Sequence, residues 1–313
     1  MLKQYKMIFK SILTKYSKHK MKNSNHKKIK IEKLILTALL LISIPPIQQP
    51  AIAFIPYIYE TNTEDLKATS IKLAKTAAQL LHYGQFQEAS RLIELAIRLN
   101  PKDSRLWSIL AEVQVKKNSL NEASKSIAKA KELNPKNARL WFAEASLNLQ
   151  QDNAKKAILL LQKGLSLEPK NANAYFQLGN ARIMQSKLKL ALRAFEKAST
   201  IKPDFWEALN NQGLVLFEIG KTQKAIDIWR KVLKIKENAE PMLALAAALN
   251  QVEKTSQEAL ILAKQALSQN PNYVSSKYQA EQLWGPKLQE ATKQLFKDPD
   301  LDWDIERALT NSK

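Results

Sequence analysis

The sequence predicts an all-α solenoid built from helix pairs, and three ladders of residues in one register predict it. Prolines stand at Pro101, Pro135, Pro169 and Pro203, each 34 residues after the last, and two periods further on at Pro271. Alanine recurs at the same interval at Ala89, Ala123, Ala157, Ala191, Ala225 and Ala259. A third ladder, Ala77, Ala111, Ala145, Gly179, Gly213 and Ala247, is small at every step. Six Gly, twelve Pro and few β-branched runs in 313 residues argue against a β-rich or a low-complexity chain. The absence of Cys removes disulfides, thiolate metal sites and cysteine nucleophiles.

Taken in chain order, residues 1–53 read as a basic leader. They hold eleven Lys and one acid, Glu32, so half of the chain's net +20 lies in its first sixth. The Lys-rich stretch ends at Lys33 and an apolar run follows from Leu34 to Ile44, broken by Pro45 and Pro46. Eleven apolar residues make a helix of about 16 Å, half of a bilayer core. Ala51-Ile52-Ala53 then supplies the small-x-small pattern of a signal-peptidase site, so the expectation is export with cleavage before Phe54. The alternatives are an uncleaved membrane anchor and a basic tail with an apolar patch. Translation from Met21 would give this leader ordinary proportions.

Residues 54–69 open with Phe54-Ile55-Pro56-Tyr57-Ile58-Tyr59 and are expected to form an apolar strap over the first repeat, or a docking or membrane-contact segment. Six repeats occupy 70–273, with boundaries at 70–103, 104–137, 138–171, 172–205, 206–239 and 240–273. Gly84, Asn118, Asp152, Ser186 and Gly220 stand between paired helices, where a left-handed residue ends a helix, and Lys254 fills the sixth such place. The prolines stop the second helices, and Asp103, Asn137 and Asn171 can cap the next first helices. The sixth repeat, with Pro241 near its start and no aromatic at the bulky positions, is expected to be the softest. Residues 274–313 read as capping helices ending in a frayed acidic tail.

This period and these ladders resemble the tetratricopeptide repeat (TPR), a helix–turn–helix of 34 residues. Trp107, Trp141 and Tyr175 match the family's bulky position in the first helix. Ile93, Ile127, Leu161, Phe195 and Trp229 match the large apolar position of the second. The resemblance implies a right-handed superhelix whose first helices line a concave groove. It places groove positions on Arg105, Glu112, Lys116, Arg139, Phe142, Ser146, Asn173, Phe176, Asn180, Glu207, Asn210 and Phe217. Arg105 and Arg139, and Phe142 and Phe176, repeat one period apart, which would offer guanidinium forks and apolar platforms to an extended peptide. In the alternative, the two Phe are partly buried between repeats and the Arg pair is solvated. Asn180 and Asn211 match two positions of the carboxylate clamp of chaperone co-factor TPR proteins. Phe176, Pro241 and Leu245 occupy its other sites, so that clamp is incomplete.

Catalytic signals are poor. His82 is the single His after residue 53, and no nucleotide-binding Gly pattern occurs. Ser126-Ile127-Ala128-Lys129 matches a fragment of an acyl-enzyme motif without its companions. The reading is therefore a non-enzymatic scaffold with no cofactor and no metal, binding protein segments through a groove that includes Arg105, Arg139, Phe142, Phe176, Asn180, Asn210, Asn211 and Phe217. The alternative is a basic helical repeat binding RNA. Against it, the body's basic residues are interleaved with acids and the leader points out of the cytoplasm. The sequence is also similar to TPR proteins of cyanobacteria and plastids linked to photosynthetic-membrane biogenesis. That similarity lies in the leader followed by Phe54-Ile55-Pro56-Tyr57, in Asp204-Phe205-Trp206-Glu207-Ala208-Leu209-Asn210-Asn211, and in Leu283-Trp284-Gly285. It implies an assembly factor in a periplasm or thylakoid lumen.

Overall fold

The structure, a computed structural model, describes residues 62–254 and 256–312. The leader, its cleavage site and residues 54–61 of the expected strap lie outside the described residues. Twelve helices pair in succession: α1 Thr63–His82 with α2 Phe86–Leu99, α3 Ser104–Lys116 with α4 Leu120–Leu133, and α5 Ala138–Gln150 with α6 Ala154–Leu167. Then α7 Ala172–Met184 pairs with α8 Leu188–Ile201, α9 Trp206–Glu218 with α10 Thr222–Ile235, and α11 Ala239–Val252 with α12 Gln257–Gln269. Each second helix also packs on the first helix of the next pair, which makes the continuous stack of a solenoid.

Local chemistry sets the elements. Gly84, Asn118, Asp152, Ser186 and Gly220 all have positive φ, between 56° and 80°, so the turn within a repeat has one geometry five times over. Asp103, Asn137 and Asn171 accept the backbone N–H of Arg105, Arg139 and Ala174 at 2.9, 3.1 and 2.9 Å. Trp107 and Trp141 donate their indole N–H to the carbonyls of Pro101 and Pro135 at 2.9 and 3.0 Å, locking each first helix onto the turn before it.

The small-residue ladders have a steric cause. A Cβ at Gly179 would overlap the ring of Phe195, one at Gly213 would lie 2.5 Å from Trp229 Nε1, and one at Gly164 would overlap the ring of Phe142. Each glycine leaves room for an aromatic ring to lie against a neighbouring helix, and interiors at crystal-like packing density tolerate no extra methyl there.

Three boundaries differ from the sequence reading. Helix α1 begins at Thr63, capped by the Asn62 side chain, so the last part of the expected strap is helix. The first helix of the sixth repeat, expected to be the softest unit, is deeply packed: in α11, Ala239 and Pro241 to Ala248 are all buried. Pro241 falls in the first turn, where its missing N–H costs nothing. The acidic tail is not frayed. Asp298 caps a 3₁₀ turn at Pro299–Leu301, Leu301 is fully buried, and Asp304 pairs with Arg307 at 3.0 Å in α15, Asp302–Asn311.

The terminal segment divides between two sides of the array. The 3₁₀ turn Pro271–Val274 and α15 pack on α12 and close the end of the stack. The short α13, Ser276–Glu281, leads to α14, Pro286–Leu295, which lies across α9 and α11, both first helices. The α14 helix is thus seated on the groove side of the fifth and sixth repeats, which explains why α11 is apolar on every face. No described helix is long and apolar enough to cross a membrane.

Candidate functional site

Two of the spaces that the first helices line hold the expected groove residues. One is a cleft of about 490 Å³ formed mainly by α3 and α5, and it brings Arg105 and Arg139 together as expected from their shared register. Ile109, Val115, Leu140 and Leu147 supply an apolar floor, and Ser108, Glu112, Ser146 and Gln150 add polar edges. The two arginines are not equivalent. Arg105 is held by Asp103, Nη2 to Oδ2 at 2.5 Å and Nε to Oδ1 at 2.9 Å. The hydrogen bond from Arg105 keeps the Asp103 carboxyl below the usual carboxylate range, outweighing its partial burial. Asp103 also caps α3, so that carboxylate joins guanidinium and helix end in one unit. Arg139 is exposed and makes no such ion pair, which leaves its fork available to a ligand.

Two of the Phe positions expected in the groove belong to the core instead. Phe142 is 9% exposed, its ring laid against Gly164 of α6. Phe217 is 2% exposed and packs on Trp229 at a centroid distance of 6.0 Å. In both cases the side chain fills the space that a glycine or a large neighbour leaves between helices. Phe176 is half-buried against Phe195 and Phe205, at 5.9 and 5.2 Å, and shows part of its ring to the second space.

That second space is a cavity of about 210 Å³ between α7, α9, α11 and the segment Glu281 to Leu283. Asn180, Asn210 and Asn211 meet here: Asn211 donates to Asn180 Oδ1 at 2.9 Å, and Asn210 donates to Asn211 Oδ1 at 3.4 Å. Asn210 is 1% exposed and Asn211 is also buried, so these two build the wall more than they present a surface. Pro241 and Leu245, which occupy clamp positions in the family's pattern, are buried among the apolar residues of α11.

Sequence reasoning missed what closes this half of the groove. Glu240 accepts a hydrogen bond from Trp284 Nε1 at 3.1 Å, and Asn210 and Tyr273 also hydrogen-bond to it. Burial pushes the Glu240 carboxyl above the ordinary range, against the pull of those three donors. Burial likewise raises the Tyr273 phenol, helped by the negative charge of Glu240 beside it. Glu218 accepts the backbone N–H of Lys287 at 3.3 Å and of Leu288 at 2.9 Å, putting a carboxylate at the N-terminus of α14. A Cβ on Gly285 would overlap that carboxylate. The signal available in the sequence was α11 itself: a helix apolar all round with one lone acid near its start must be covered, and its acid must be satisfied.

Among the described residues no group of three or more His, Asp or Glu side chains is placed to hold a metal. His82 is exposed beside Tyr83, 5.6 Å between centroids, with no carboxylate or hydroxyl partner. What the arrangement offers is a preformed half-apolar cleft with an exposed guanidinium at its rim.

A stack of paired helices with a groove along its first helices defines a helical-repeat interaction scaffold. Three tetratricopeptide repeat models match the sequence at residues 80–147, 138–171 and 170–240. Together they run without a break over just over half of the chain, and the chain belongs to the tetratricopeptide repeat superfamily. Proteins of this superfamily are typically non-enzymatic and bind other proteins. No curated protein matches the sequence at a significant level. Among solved structures, Pseudomonas aeruginosa PilF is 18% identical over 70% of this chain and 98% of its own, with a TM-score of 0.61. PilW, a widely conserved type IV pilus biogenesis factor, is 18% identical over 71% of this chain and 97% of its own, at 0.57. MamA from Desulfovibrio magneticus is 18% identical over 53% and 94%, at 0.50. At such identities the likeness is one of fold.

Proposed function

We propose that the chain is a non-enzymatic assembly scaffold that receives an extended segment of a protein partner in the cleft between α3 and α5. The observation that carries this reading is the pairing of an apolar floor, Ile109, Val115, Leu140 and Leu147, with Arg139 unpaired at the rim. A segment with an acidic or C-terminal carboxylate next to a large aliphatic residue suits both features. The leader supports a place outside the cytoplasm, in a periplasm or thylakoid lumen, with membrane association through the leader or residues 54–59 as part of the same proposal.

The test is to select peptides on the full chain and measure their affinity by calorimetry. Arg139→Ala should weaken selected peptides about tenfold, as the loss of one charge-assisted bond implies. Arg105→Ala should weaken them less, because its fork already serves Asp103. Ala143→Trp, which fills the cleft from an exposed position, should abolish binding while leaving the far-ultraviolet circular dichroism unchanged. Peptides that bind all three variants equally would place the site elsewhere.

A further inference from the structure

The second helices bury one face in the stack and turn the other outward. Because α4, α6 and α8 begin at Leu120, Ala154 and Leu188, 34 residues apart, a position on one is the same position on the next. Three outward positions, four residues apart on each helix, form a grid. Its rows are Asn121, Lys155 and Lys189, then Lys125, Leu159 and Arg193, then Lys129, Lys163 and Lys197. Seven of these nine residues are basic and none is acidic. All are exposed except Lys129, which is half-buried and is alone among them in making an ion pair, to Glu132 at 2.9 Å. The next repeat extends the last row with Lys231 but places Gln223 and Asp227 in the other two, so the basic grid spans three helices. The excess belongs to this side of the array. In repeats two to five the second helices hold thirteen basic and four acidic residues, a net +9, whereas the first helices hold four of each.

The grid is not purely charged. Leu159 stands at its centre with 63% of its surface exposed, and Leu190 is exposed beside Lys189. An interface between headgroups and acyl chains takes both cationic side chains and a leucine among them. Nucleic-acid surfaces of this size usually add aromatic platforms for bases, and the exposed large apolar side chains of these three helices are all leucines.

We propose that this outward face of the second helices docks on the surface of an anionic lipid bilayer. The Lys and Arg side chains engage lipid phosphates, and Leu159 and Leu190 enter the interface. The groove, on the opposite helices, stays open to a protein segment while the array is held at the membrane.

The chain has no Cys, so a single introduced thiol marks a single place. Leu159→Cys and, in the cleft, Ala143→Cys would each be labelled on the full chain with a polarity-sensitive fluorophore. Each is then mixed at physiological salt with vesicles of phosphatidylcholine alone or with phosphatidylglycerol. The expected result is a blue shift at position 159 with the anionic vesicles only, and none at 143. Replacing Lys155, Lys163, Lys189 and Lys197 by Gln should weaken vesicle binding by nearly three orders of magnitude, since each such charge is worth about fivefold. If the protein sediments with vesicles while the label at 159 is unmoved, the leader binds alone and the proposal falls. Equal shifts with both vesicle types also overturn it. So does a label that responds to single-stranded RNA and not to vesicles, which would make nucleic acid the partner.

Discussion

Phe142 offers the sharpest test of where the groove ends and the core begins. Its ring lies against the bare α-carbon of Gly164: a Cβ placed there would be 2.6 Å from Phe142 Cδ1 and 3.1 Å from Cζ. Phe142→Ala should therefore behave as a core truncation and cost about 3–4 kcal/mol. Gly164→Ala gains about 1 kcal/mol of helix propensity. In the native background the new methyl must displace the ring, an overpacking cost of about 1–3 kcal/mol, so the single variant should be neutral or destabilised. In the Phe142→Ala background the methyl enters the vacated space and the propensity gain is realised. The two substitutions should then couple by about 2 kcal/mol, well above the few tenths expected of independent sites. Urea unfolding followed by far-ultraviolet circular dichroism, for the wild type, both single variants and the double, measures that coupling. Strict additivity would refute the packing argument. So would a Phe142→Ala protein with an unchanged midpoint and weakened peptide binding, because that is how a groove platform behaves.

Other expectations follow from the turns and from the terminal segment. Ser186 holds φ at 56° in an exposed turn where two sister repeats use glycine, so Ser186→Gly should stabilise the chain by about 0.5–1 kcal/mol, read as a higher urea midpoint. Glu218→Ala removes the acceptor for two N–H groups of α14 and should cost about 1–2 kcal/mol, seen first as faster hydrogen exchange at Leu288. Glu240 has a carboxyl raised in the folded state, so its contribution is most favourable below the unfolded carboxyl range and is lost as pH rises through the folded value. Glu240→Gln cannot ionise, and its stability relative to wild type should improve steadily as pH rises from acid to neutral. A stability difference that does not change with pH would mean that Glu240 is not buried as a titrating group.

The legible part of this protein was the part whose causes are local or repeat at a fixed interval. Turn residues at 84, 118, 152, 186 and 220 take the left-handed conformation because a helix end needs it, whatever surrounds them. Asp103, Asn137 and Asn171 cap because their side chains reach the N–H two or three residues on. Arg105 and Arg139 line one cleft because equal register in a solenoid means one surface. Phe142 and Phe217 were misplaced because a periodic position says which helix carries a side chain, not how far the ring sinks between helices. That depth depends on Gly164 in one case and on Trp229 in the other.

The sequence alone determined the solenoid, its register and its turns, since each depends on spacing that the chain carries with it. The tertiary structure decided how much of the groove is open. Trp284 reaches Glu240 across 44 positions, and Leu288 reaches Glu218 across 70. No periodicity encodes those contacts, because α14 lies outside the repeat and is seated by burial, by hydrogen bonds to two carboxylates and by the apolar face that α11 leaves uncovered.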